Sequence, residues 1–195
     1  MTLSGGVVFT NDFSGLGNGL VNATPTPGLT AGSGTISAAS VTGAGAFRAS
    51  STTTTLGGNL YLYDAAAGAG SIGTFAANGG TVVFNGGGTP TEYVNGSSFN
   101  NLTISGGTTL QAVNNGAAGL NALNVTGTLT TSTASDTMDV LSQDFTISVI
   151  SNTGTLAIDG TQATQTVTTM DTAKGLVWYK GGAGGTDRKS TRLNS

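Results

Sequence analysis

The 195-residue chain contains no cysteine and no histidine, only three prolines, and charged side chains at just 8% of its positions. Without cysteine or histidine there is no disulfide framework, thiol nucleophile, Cys/His zinc site or histidine general base. Lys and Arg number six against nine Asp and Glu, a net charge of −3. Glu, Lys, Arg and Gln are the strong surface helix formers, and their scarcity argues against helices. No apolar run approaches the ~18 residues that a membrane-spanning helix needs. The opening MTLSGGVVF has neither the basic start nor the long apolar stretch of a secretory signal.

What fills the chain instead is 33 Gly, 35 Thr and a hydrophobic fraction of 37%. Disorder couples low hydrophobicity to high net charge, and this chain has neither. Thr favours strands, whereas Gly and Asn favour turns. The composition therefore predicts an all-β chain with many tight turns, long enough for a substantial core.

Short strands of the form apolar–x–apolar recur along it: Leu60/Leu62, Val82/Phe84, Leu102/Ile104, Leu123/Val125 and Phe145/Ile147. Their first members are 22, 20, 21 and 22 residues apart; Val167, with Thr169 as a weaker partner, extends the series forward and Ala39/Val41 extends it backward. A second series, Leu156/Ile158 and Val177/Tyr179, repeats at 21. Alternation puts both members of a pair on one strand face. A period near 21 suits three short strands and three turns, one coil of a parallel β-helix, with successive coils ~4.8 Å apart. The fold expected is a β-solenoid with coils of about 20–22 residues and an internal apolar ladder. Glycines at 106, 107, 127, 154 and 160 fall where coils bend, and Asn59, Asn101 and Asp144 precede strands. TPTPG at 24–28 reads as a projecting loop. One feature resists a constant period. GGVVFTND resembles GTVVFNGG, yet Val7 and Val82 are 75 residues apart. An antiparallel sandwich is the competing architecture.

The segments FNNLTISGGTTL and LNALNVTGTLTTS resemble repeats of very large bacterial surface and secreted β-strand repeat proteins, the autotransporter passengers and haemagglutinin-like adhesins. Phe99, Asn101, Leu102, Thr103, Ile104 and Gly106 carry the first half of the resemblance. Leu123, Val125, Gly127 and Leu129 carry the second. It covers about residues 79–160 and implies a right-handed parallel β-helix, an extracellular or outer-surface location, and a structural or adhesive role. It brings no catalytic residues.

The ending DRKSTRLNS resembles the in-frame translation of a short-read sequencing adapter. Residues 1–186 are then the solenoid segment of a longer protein, a metagenomic fragment in which Met1 need not be a true start. Residues 187–195 are a non-native tail, expected to lack regular structure. Without the tail three basic residues face eight acidic ones, a balance that disfavours nucleic-acid binding.

Carboxylates are the candidate chemistry: Asp136, Asp139 and Asp144, followed by Asp159 and Asp171. Carbohydrate-cleaving sites pair carboxylates and usually recruit a basic group as well, but no basic residue lies between Arg48 and Lys174. Asp136 and Asp139 are weighed as calcium ligands against ordinary turn carboxylates. GGAGGTD at 181–187 has Thr186 where the calcium nonapeptide needs Asp. GLGNGL at 15–20 precedes VNATPTPG, which cannot start the helix of a dinucleotide loop. Sequons at Asn22, Asn95, Asn101 and Asn124 are expected from composition alone. Trp178, Tyr179, Tyr61, Tyr63 and Tyr93 are considered for sugar stacking without forming a demonstrable cluster. An ice-binding face needs Thr-x-Thr pairs in register, and Thr53/Thr55 and Thr131/Thr133 are 78 apart with no matching intermediates.

The resulting expectation is a rod-like structural or adhesive segment with no catalytic residue, no cofactor and no metal. The alternatives are a non-catalytic carbohydrate-binding solenoid and a fragment of a polysaccharide-degrading β-helix. Expected partners are host or environmental surfaces or glycans. Membrane attachment would run only through segments absent from this chain, and uncapped coil ends favour self-association.

Overall fold

Strands form where β-branched and apolar residues alternate, and the chain turns where glycine or asparagine permits it. In the computed structural model the described residues are 2–3, 7–8, 29–31, 35–38, 40–42, 46–64, 71–72, 74–86, 92–95, 98–113, 122–171, 174–181 and 188–189. The stretches 15–20 and 24–28 singled out in the sequence lie outside them. Among the described residues the protein is all-β, without a helix, and nearly all strand pairs are parallel.

Among the described residues three larger sheets and one two-stranded pair make up the architecture. The first has nine strands and runs from Val7–Val8 through Ile36–Ala38, Thr53–Leu56, Thr81–Phe84, Asn101–Ile104, Ala122–Thr131 and Asp144–Asn152 to Gln165–Met170, with Ser98–Phe99 paired to one half of Ala122–Thr131. The second has eight strands, from Val41–Thr42 through Leu60–Tyr61, Glu92–Asn95, Thr109–Val113, Thr137–Asp139 and Thr155–Ile158 to Leu176–Tyr179 and Arg188–Lys189. The third joins Thr2–Leu3, Leu29–Ala31, Ala46–Arg48 and Thr74–Ala76. Tyr63–Asp64 and Ser71–Ile72 form a separate antiparallel pair.

The core is the sum of the inward faces. In Thr53–Leu56, Thr81–Phe84 and Asn101–Ile104 every second residue is buried, as the two-residue side-chain period demands. Leu102, Ile104, Leu123, Val125, Phe145 and Ile147 are all at most 2% exposed. Phe47, Phe75 and Phe99 stack through the interior at centroid distances of 5.9 and 5.0 Å. One polar part of the interior is tied from level to level. The Thr131 hydroxyl donates to Asn152 Oδ1 at 2.5 Å and accepts from the Gly154 N–H at 2.9 Å. The Asn152 amide in turn donates to the Leu176 carbonyl at 3.0 Å.

The register corrects the constant period. Along the first sheet, Val7 pairs with Ile36, Ile36 with Thr54, Thr54 with Val82, Val82 with Leu102, Leu102 with Leu129 and Leu129 with Ile150. These steps of 29, 18, 28, 20, 27 and 21 alternate between long and short, until the last step, from Ile150 to Met170, is short again at 20. Val7 and Val82 therefore occupy the same ladder, three unequal steps apart, which accounts for the similarity of their surroundings.

Individual ladder assignments change accordingly. Leu60 belongs to the second sheet, between Val41 and Val94, and is not stacked under Val82. Leu102/Ile104 pair with Leu129/Thr131 rather than with Leu123/Val125, which pair with Phe145/Ile147. The cause is the ten-residue strand Ala122–Thr131, which carries two inward pairs, Leu123/Val125 and Leu129/Thr131, one on each side of a register shift between Val125 and Thr128. Val167 pairs with Ile147 and not with Phe145. The second series is found as expected, with Leu156 opposite Val177 and Ile158 opposite Tyr179.

Two kinds of glycine shape the turns. Gly106, Gly107 and Gly160 have positive φ of 73°, 79° and 80°, which side chains resist. Gly154 is a close approach instead: a Cβ there would collide with the Asp136 carbonyl oxygen and lie 2.6 Å from that of Thr133. Asn101 and Asp144 reach across levels, Asn101 Oδ1 accepting from the Thr128 N–H at 2.9 Å and Asp144 Oδ1 from the Ala163 N–H at 2.8 Å.

The reading of residues 187–195 as unstructured is corrected for two of them. Arg188–Lys189 pair antiparallel with Leu176–Tyr179. An open strand edge offers unpaired backbone groups to whatever chain is near, so the pairing requires no particular sequence.

Two substitutions test this packing. Ile104→Asp puts an unpaired charge into an apolar interior and costs several kcal/mol. Gly154→Ala forces two backbone levels apart and costs about 1–3 kcal/mol. Both are read as lowered urea midpoints, and a wild-type midpoint for Ile104→Asp would refute the buried ladder.

Candidate functional site

The acidic residues from 136 to 159 take up three separate posts. Asp136 is fully buried in the turn before Thr137–Asp139. Its Oδ1 accepts from the N–H groups of Gly107 and Thr108 at 2.8 and 3.2 Å. Its Oδ2 accepts from the Thr133 N–H at 2.7 Å and the Thr133 hydroxyl at 3.0 Å. Four donors thus saturate the carboxylate, which closes its own turn and holds the turn of the preceding level. Asp144 Oδ1 caps the loop that leads into Gln165–Met170 on the next level, accepting from the N–H groups of Ala163 and Thr164 at 2.8 and 3.1 Å. Asp171 sits at the end of the last strand of the first sheet, and its N–H donates to the Ile150 carbonyl at 2.8 Å.

Asp139 has a different environment. It ends Thr137–Asp139 with its side chain on the outer face of the second sheet, yet it is nearly buried. Lys180 Nζ stands 2.7 Å from Asp139 Oδ1 and 2.9 Å from Asp159 Oδ1, with side-chain exposures of 21% for the lysine and 11% and 24% for the two carboxylates. The Leu141 N–H adds a bond to Asp139 Oδ1 at 3.1 Å, and the Gln111 amide approaches Oδ2 at 3.3 Å. One ammonium therefore ties strands from three levels of the second sheet.

The sequence offers no basic residue near these carboxylates, and the structure supplies one from 41 residues beyond Asp139. The signal that finds it is the register. Ile158 pairs with Tyr179, so the residues that follow, Asp159 and Lys180, come to adjacent levels.

The chemistry open to this cluster follows from its protonation. Burial acts to lower the Lys180 pKa, but the hydrogen bonds and charges of Asp139 and Asp159 outweigh it, and the pKa is raised above the ordinary 10.5. A general base needs a pKa near the working pH. Lys180 is moved the other way and holds its proton as a clamp.

The calcium pair of the sequence analysis is not assembled. Asp136 spends its oxygens on backbone donors and on Thr133, and Asp139 faces an ammonium. Among the described residues no three His, Cys, Asp or Glu side chains gather at a common point. The aromatic candidates are likewise apart. Tyr61 is half-buried on the second sheet, whereas Trp178 and Tyr179 are 40% and 36% exposed on the last parallel strand of that sheet. The side chains of Tyr63 and Tyr93 lie outside those described. No protein-family model, curated protein or solved structure matches the chain.

Removing the clamp leaves Asp139 buried without its countercharge. Lys180→Met should cost about 1–3 kcal/mol, a range that allows for the partial exposure of the trio. Because the folded-state pKa is raised, the clamp contributes fully below pH 10.5 and is lost as pH rises through the folded value. Wild-type stability should fall more steeply than that of Lys180→Met above that pH in parallel urea titrations. Identical slopes would refute the clamp.

Proposed function

We propose that residues 1–186 form a right-handed parallel β-helix that serves as a structural or adhesive segment of a bacterial cell-surface or secreted protein. The observation that carries this reading is the register: strand after strand returns to the same inward positions in three sheets, around a continuous apolar interior. Strand–crossover–strand connections between parallel neighbours are right-handed in about 98% of cases, which supports the hand. Eight successive levels in the first sheet at ~4.8 Å per level make a stack about 34 Å long.

A non-catalytic role is supported by the posts of the carboxylates. Asp136, Asp139, Asp144 and Asp159 each bind backbone groups or Lys180, so the polar chemistry of this region is spent on holding levels together. Such a segment displays loops and faces toward host or environmental surfaces or glycans. Leu176, Trp178 and Tyr179, at 41%, 40% and 36% exposure, leave apolar side chains beside the edge that Arg188–Lys189 occupies, and through these side chains copies associate.

Duplicating the segment from Thr54 to the residue before Leu102 inserts one long and one short step and rejoins like faces. The elongated protein should unfold cooperatively and gain about 10 Å in length by small-angle scattering. Loss of cooperativity would sink the β-helix. Incubation with a panel of polysaccharides should release no new reducing or unsaturated ends; turnover abolished by Asp139→Asn would establish the enzyme alternative in its place.

A further inference from the structure

We infer that the outer face of the first sheet is an ice-binding surface, a grid of hydroxyl and methyl groups that holds water in lattice order at a growing ice front. The inference rests on the strand register and on the side chains it aligns, and is independent of where the protein resides. The unequal steps bring the two Thr-x-Thr pairs of this sheet, Thr53/Thr55 and Thr128/Thr130, into one ladder, with Thr81/Val83 and Asn101/Thr103 on the levels between them. Ser37 stands beside Thr55. Thr53 and Thr55 stand beside Thr81 and Val83. Those in turn flank Asn101 and Thr103. Thr103 flanks Thr130, and Thr128 and Thr130 flank Val149 and Ser151. Five of these strands thus present outward pairs of side chains two residues apart, aligned level upon level. Thr131, considered in the sequence as a member of such an array, is instead buried in the interior. The outward members are its neighbours Thr128 and Thr130.

Three observations select the ligand. Among the described residues the hydroxyls of Ser37, Thr53, Thr55, Thr81, Thr103, Thr128, Thr130 and Ser151 make no side-chain hydrogen bond within the protein, and each of these residues keeps some exposure. They are free to bond water. None of the positions in the grid carries a charge, so no ionic hydration shell disrupts an ordered layer. None carries an aromatic ring, which a crystalline glycan surface would require for stacking. The spacing then fits the occupant. Alternate residues on a strand lie about 6.6–6.8 Å apart and neighbouring strands about 4.7–4.9 Å apart, two repeats within about a tenth of those of oxygen atoms on a prism face of hexagonal ice. Thr and Val add methyl groups between the hydroxyls, and the ladder of buried residues behind the grid, from Leu56 through Phe84 and Ile104, holds it fixed.

The test uses the full chain, with folding verified by far-ultraviolet circular dichroism and a thermal melt. The wild-type protein should open a gap between the melting and growth temperatures of a single ice crystal, facet that crystal, and slow recrystallisation in frozen sucrose. Thr103→Tyr and Thr130→Tyr, which add bulk only outside the sheet, should abolish all three effects. Thr109→Tyr, on the outer face of the second sheet, should leave them at the wild-type level. If a tyrosine variant unfolds, Thr103→Lys decides, since it places a hydrated charge on the grid at little cost to a strand surface; it should also abolish faceting. A folded wild-type chain without effect on ice overturns the inference, as does a folded Thr103→Lys as active as the wild type. Retention on insoluble cellulose or chitin without any effect on ice overturns it in favour of a glycan surface.

Discussion

Everything in this fold depends on parallel register: each strand must set its inward pair on the inward pair of the level before. Side chains alternate between faces with a period of two, so a slip of one residue would turn the whole apolar set toward water and the polar set inward. Phe84 over Leu56 and Ile104 over Phe84 are the unit of that constraint, repeated. The same register fixes the polar interior, because Thr131 finds Asn152 only when Ala122–Thr131 and Asp144–Asn152 are aligned as they are. It also fixes the outside, where the carboxylates and the lysine of the second sheet meet across levels without any proximity in the chain.

Much of this was legible in the sequence. The all-β class follows from Thr, Gly and Asn in place of helix formers, and the inward pairs are readable because alternation is a local property. Ile104 and Ile147 show themselves as buried by their neighbours alone. Which pair lies over which is not local. It depends on the length of each connection, and the connections are unequal. A constant period fits the apolar pairs of the chain by choosing Leu123 as the successor of Leu102. The true successor, Leu129, lies on the far side of Gly127 in the same strand. Equal spacing in sequence and equal height in the stack are different quantities, and turn lengths separate them.

The candidate site was less legible for the same reason. Asp136 and Asp139 are three residues apart and invite a common role, yet one is buried against four donors and the other faces outward toward Lys180. Alternation within Thr137–Asp139 and the turn that precedes it send the two carboxylates in different directions. Neighbours in the chain are separated, and residues 21 and 41 apart are joined. The reliable guide was the second apolar series, in which the pairing of Ile158 with Tyr179 carries Asp159 and Lys180 into contact.

The buried tie from Thr131 through Asn152 to the Leu176 carbonyl has a mechanical consequence. Backbone hydrogen bonds between parallel strands point along the stack, so a pull in that direction loads each bond along its own length, and levels would separate in succession at low force. Thr131, Asn152 and Leu176 lie on three successive levels, and the Lys180 clamp spans a neighbouring face at similar height. Rupture under tension is therefore resisted most around these levels, which would give way as a block, while levels tied by backbone alone peel first.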